Sequence, residues 1–91
     1  DTVYSTGAGF VEKASYYGGY GRCVIINHGK GYKTMYAHLS RIYVVKDEYV
    51  NDHHIIGRVG STGHSTGAHL HYEIFKNEKS IDPEKFIWVR F

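Results

Sequence analysis

The sequence predicts an all-β fold in a single small domain. Three observations carry this. Nine Tyr and eleven Gly in 91 residues, with a single Pro, are the composition of short strands joined by tight turns. Apolar residues alternate with period two in several segments. No stretch shows sustained helical periodicity, and no internal repeat or linker divides residues 1–91. A chain of this length is one domain with a thin core.

Taken in order, residues 10–17 form a first strand, closed by the turn Gly18-Gly19-Tyr20-Gly21. Residues 22–27 form a stronger one around Val24, Ile25 and Ile26, and Gly29-Lys30-Gly31 turns it back into residues 32–39. That pair reads as a hairpin. In its second strand Met35, Ala37 and Leu39 should face the core, with Thr34, Tyr36 and His38 on the open face. Residues 42–45 and 54–59 are short apolar segments flanking a polar connection. The small-residue loop 60–68 then feeds a strand over 69–75. There Leu70, Tyr72 and Ile74 share one side, and His69, His71 and Glu73 the other. Residues 76–80 make a polar turn, Asp82-Pro83 ends pairing, and residues 84–88 add a helical turn or an edge strand.

Charge and cysteine content narrow the function. The formal charge is +2, with Lys and Arg scattered along the chain. This argues against nucleic acid as partner, because phosphate binding needs a concentrated basic face. Cys23 is the lone cysteine, so no disulfide forms within the chain. It reads as a small buried strand residue. No apolar run is long enough to span a membrane.

The chemistry-bearing residues are histidines. In a strand, residues two apart project from one face, so His69 and His71 stand together while Leu70 turns to the core. Paired imidazoles suit metal binding or a metal with an adjacent base. On spacing alone, two solvated histidines is the better reading. The flanking Gly- and Ser-rich loop, which lets backbone approach a ligand, shifts the balance. His38 joins them if its strand neighbours theirs; taken singly it reads as a surface residue near a strand end.

Two segments carry a resemblance. Tyr36-Ala37-His38-Leu39-Ser40 resembles the Tyr-x-His-Leu segment of lysostaphin-type (LytM-type) zinc peptidases. Gly60-Ser61-Thr62-Gly63-His64-Ser65-Thr66-Gly67-Ala68-His69-Leu70-His71-Tyr72-Glu73 resembles their long signature ending in His-Leu-His-Tyr-Glu. Shorter matches at Gly19-Tyr20-Gly21, His28-Gly29-Lys30-Gly31-Tyr32, an Ile56-Gly57 turn and Asp82-Pro83 extend it over effectively the whole chain. The resemblance implies a small antiparallel β domain with a groove across one sheet, and a zinc endopeptidase hydrolysing peptide cross-links of bacterial peptidoglycan, in the periplasmic or extracellular envelope. It implies His71 as a zinc ligand, and His38 and His69 as catalytic histidines outside the ligand set. Zinc takes three protein ligands and keeps one position for water, whose pKa it lowers. One imidazole can take the water's proton and another stabilise the oxyanion. His69 is read as base and His38 as stabiliser, with the reverse left open.

The chain departs from the pattern in places. The upstream His-x-x-x-Asp motif that completes the Zn2+ site is absent, so the remaining His and Asp ligands are expected before Asp1, and the 91 residues alone are expected to be inactive. His28, His53, His54 and His64 are not convincing substitutes. Ala68 replaces the usual Pro, loosening that loop. Asp47 and His53 stand where Gly is usual, so any positive φ there costs His a modest strain. The alternative is a non-catalytic module of the same fold that binds peptidoglycan or regulates a hydrolase through an envelope protein partner. A third reading, a lipoyl-carrier-like repeat over residues 42–57, lacks a placed lysine.

Overall fold

The computed structural model describes residues 2–59, 70–77 and 79–81. The expected loop 60–68 with its Ala68, as well as His64, His69, Asp82-Pro83 and residues 84–88, lie outside the described residues.

The described residues form one antiparallel sheet of eight strands: β1 (Thr2–Tyr4), β2 (Gly9–Tyr16), β3 (Arg22–Gly29), β4 (Tyr32–Ile42), β5 (Tyr49–Val50), β6 (Ile55–Val59), β7 (His71–Lys76) and β8 (Lys79–Ile81). The all-β expectation therefore holds. The β2–β3 connection is a short 3₁₀ turn, Gly18–Tyr20. The β3–β4 connection is tight, with φ 55° at Lys30 and 83° at Gly31. Two successive positive φ values match the right-handed twist of the strands they join. Asp47 (φ 72°) and His53 (φ 63°) do occupy the left-handed region. β1, β5 and β8 were not foreseen, the last two lying where a polar connection and a polar turn were expected: two or three residues are too few to show alternation.

The sheet runs β1-β6-β4-β3-β2-β5, and β7 branches off β4 to pair with β8. β4 is the hub. Along one edge it pairs with β3 from Tyr32 to Leu39. Along the other it pairs first with β7, from Tyr32 to Ala37, and then with β6, from Leu39 to Ile42. His38 stands at the changeover. Opposite it, the step from Leu39 to Tyr36 on β4 matches the shorter step from Arg22 to Val24 on β3. Ala37 and His38 together therefore oppose Cys23, which is a β-bulge. The bulge residue His38 has φ 61°.

This bulge corrects the face assignment of β4. Period two cannot cross an inserted residue, so Leu39 changes sides and packs with Tyr36 in the main core. That core includes Val3, Val11, Val24, Ile26, Val50 and Ile56, drawn from β1, β2, β3, β5 and β6. Tyr36, expected on the open face, is fully buried there. Met35 and Ala37 lie on the other face with Cys23, packed by Tyr20, Ile25 and Phe75. Ile56-Gly57 is not a turn but part of strand β6. An added Cβ at Gly57 would stand 2.5 Å from the Arg41 carbonyl oxygen and 3.2 Å from a Leu39 methyl. Glycine there lets β6 close onto β4 just past the bulge.

Hydroxyls hold the core's open end. The Thr6 N–H donates to the Tyr36 Oη at 3.1 Å, and Thr6 Oγ1 lies 2.9 Å from that oxygen and 3.0 Å from the Tyr72 Oη. Thr34 Oγ1 is 2.8 Å from the Tyr36 Oη, so a fully buried phenol keeps its partners. Burial pushes the Tyr72 phenol up to about 12.

Candidate active-site groove

The smaller buried cluster floors a face on which the candidate residues stand. In the β4–β7 register Ala37 opposes His71 and Met35 opposes Glu73. Residues directly opposite share a face, so His71 and Glu73 rise from the Met35, Ala37 and Cys23 side. Tyr72 goes to the other side, its ring 5.3 Å from that of Tyr36. Leu70 and Tyr72 pack against the main core, and Ile74, on their side by alternation, is buried.

His38 reaches the same face by another route. Simple alternation would put it beside Tyr36, in the main core. Instead the bulge turns it outward, and its ring lies 5.8 Å from His71 at 87°. The expected meeting of His38 and His71 therefore occurs, with strand parity broken rather than obeyed. Their partner His69 lies outside the described residues.

Two groups that sequence reasoning passed over complete the face. Tyr20, from the 3₁₀ turn, sets its ring 5.5 Å from His71 and stacks on Tyr17 at 5.7 Å. The Lys13 ammonium caps this row, 4.8 Å from the Tyr17 ring centre. Glu73 Oε2 accepts from His71 Nε2 at 3.0 Å, and Ser80 on β8 donates to its other oxygen at 3.3 Å. The Glu73 charge is the main reason the Tyr20 hydroxyl is held above its ordinary pKa. The spacing of His71 and Glu73, two apart in one strand, is the signal that could have found the pair. The Tyr20 contact crosses between distant segments and left no such signal.

The remaining described histidines stand elsewhere. His28 is on the opposite face, its Nδ1 2.8 Å from the Ala8 carbonyl oxygen and its Nε2 2.7 Å from Thr34 Oγ1. His53 is exposed and paired with Asp52 at 3.1 Å; His54 lies 3.8 Å from Glu48. Cys23 is buried as expected, and desolvation pushes its thiol up to about 11. Among the described residues no three His, Cys, Asp or Glu side chains gather as a metal cage. One part of such a site does fit: an imidazole open on one side and backed by a carboxylate is the usual setting of a zinc-binding histidine.

Two imidazoles, one of them backed by a carboxylate, thus stand on one aromatic-edged face of an antiparallel β domain. The chain belongs to peptidase family M23, whose sequence model matches residues 1–83. It is 40% identical over 83 residues to the peptidoglycan DD-endopeptidase ShyA of Vibrio cholerae, spanning 91% of this chain and 19% of that protein. A zinc-containing peptidase from Vibrio cholerae superposes with a TM-score of 0.80 at 38% identity, covering 89% of this chain and 25% of that one. The catalytic domain of lysostaphin from Staphylococcus simulans superposes with a TM-score of 0.81 at 33% identity, covering 93% of this chain and 68% of that domain. The resemblance read from the two histidine segments thus holds. No helix among the described residues is long and apolar enough to cross a membrane.

Proposed function

We propose that this chain is the catalytic domain of a zinc-dependent endopeptidase that hydrolyses peptide cross-links of bacterial peptidoglycan in the cell envelope. The observation that carries the reading is the meeting of His38 and His71, 5.8 Å apart, on the groove of an M23 domain. Relatives spanned only in part by this chain support the substrate class: the endopeptidase from Vibrio cholerae is named for peptidoglycan.

In this reading His71 is a zinc ligand, and the remaining His and Asp ligands come from chain preceding Asp1. When bound, zinc supplies Lewis-acid polarisation of the scissile carbonyl and an acidified water. The chain's own residues do the rest. His69 takes the water's proton. His38, held outward by the bulge, donates to the developing oxyanion. Tyr20 and Tyr17 form an apolar wall along which a peptide chain lies.

The test is digestion of purified peptidoglycan by the full-length protein, reading new amino groups and zinc content on the same samples. His71→Ala should abolish both zinc and activity. His69→Ala and His38→Ala should keep zinc and lower the rate by roughly 100-fold or more. The 91-residue chain alone should hold zinc weakly or not at all, because one imidazole falls far short of a full ligand set. Release of reducing sugars in place of amino groups would overturn the peptidase assignment, and full activity in His69→Ala would overturn its role.

A further inference from the structure

Glu73 touches three elements at once. One oxygen accepts from His71 Nε2 at 3.0 Å, within its own strand. The other accepts from Ser80 on β8 at 3.3 Å. Its charge also acts on Tyr20 in the 3₁₀ turn between β2 and β3. The carboxylate is mostly buried, with its side chain 21% exposed against 42% for His71. A carboxylate clamped from β8 has little freedom to swing away, so it holds the imidazole more firmly than a solvent-facing one could.

We propose that Glu73 is a positioning residue that sets the His71 tautomer. A carboxylate can only accept, so His71 Nε2 must carry a proton to bond it. In the neutral ring Nδ1 is then the unprotonated atom, the one with a lone pair to give. Glu73 thus selects the nitrogen that His71 offers to the groove and fixes the ring plane. Ser80 orients the carboxylate in turn, so the short β7–β8 hairpin becomes part of the site's support. Where this concerns zinc it rests on the function proposed above; the tautomer itself does not.

The experiment has two arms on the full-length protein. In the first, metal is removed and the His71 ring nitrogens are read by ¹⁵N NMR across a pH series, on the alkaline plateau where the spectrum itself shows the ring neutral. His71 should be protonated on Nε2, and Glu73→Ala should shift it toward a mixture. A wild-type ring protonated on Nδ1, or a tautomer unchanged in Glu73→Ala, overturns the proposal. In the second arm zinc affinity should fall by about 10- to 100-fold in Glu73→Ala. Glu73→Gln, which keeps the size and one carbonyl acceptor but not the charge, should fall between. Undiminished zinc affinity in both variants also overturns it. A wild-type protein that binds no zinc would count against the proposed function alone, because the first arm still decides the tautomer.

Discussion

At the scale of single residues, His38 has a backbone that glycine would prefer. A left-handed φ of 61° crowds the Cβ of any L-residue and costs on the order of 1 kcal/mol. The position carries an imidazole nonetheless, and that same φ turns the ring toward His71. Stability and the site therefore pull in opposite directions here. His38→Gly should be about 1 kcal/mol more stable than His38→Ala, although glycine is the more flexible residue when unfolded. Both should lose the proposed wall-cleaving activity alike. Urea denaturation of the two variants decides the matter: equal midpoints would mean that the left-handed strain is no larger than the entropy glycine loses on folding. Cys23 makes the opposite point. Its burial and raised pKa leave almost no thiolate near neutral pH, which is why a lone cysteine next to the groove is inert packing.

At the scale of elements, the contact between β4 and β6 deserves the closest test. β4 changes partner at His38, and β6 must then close tightly onto it through Leu39 and Arg41. Gly57 is the point of closest approach, facing the Arg41 carbonyl. Gly57→Ala must push the strands apart, at a cost of about 1–3 kcal/mol. For a domain of this size that lowers Tm by roughly 5–20 °C. Because β6 also seats the segment leaving the bulge, activity should fall beyond what the lost stability explains. Gly19→Ala is the control, since an added Cβ there meets nothing within 4 Å. Thermal melts of both should separate them; an unchanged Tm in Gly57→Ala would show that β6 can shift without consequence.

For the molecule as a whole, alkaline pH should be its weakness. Cys23 is raised from 9.0 to about 11, and Tyr72 from 10.0 to about 12, in both cases chiefly by burial. Folded-state values above the unfolded ones mean that the unfolded chain loses these protons first. It then binds fewer protons than the native state, so stability falls as pH rises through this window. The urea midpoint should be steady near pH 8 and drop between about pH 9 and 12. Tyr72→Phe should flatten the upper part of that fall, even though it loses the Thr6 contact and is less stable at neutral pH. An equally steep fall in Tyr72→Phe would assign the alkaline transition to other groups.

How much was legible in the sequence follows from the range of each signal. The longer strands, the tight turns at Gly29 to Gly31, the burial of Cys23 and the inward set Leu70, Tyr72 and Ile74 were all readable, because each depends on neighbours along the chain. The long histidine-bearing segments determined the family, since motif identity survives without any knowledge of the fold. What only the tertiary structure decided was which way His38 faces. Parity is a local rule, and it fails where β4 exchanges β7 for β6, an event fixed by strands far away in sequence. The full burial of Tyr36 has the same origin, because both faces of β4 are covered. The Tyr20–His71 contact likewise exists only once β3 and β4 bring the 3₁₀ turn beside β7. The sequence by itself determined which side chains the groove has available; the sheet's branching, a long-range pairing that no local pattern encodes, decided which of them meet.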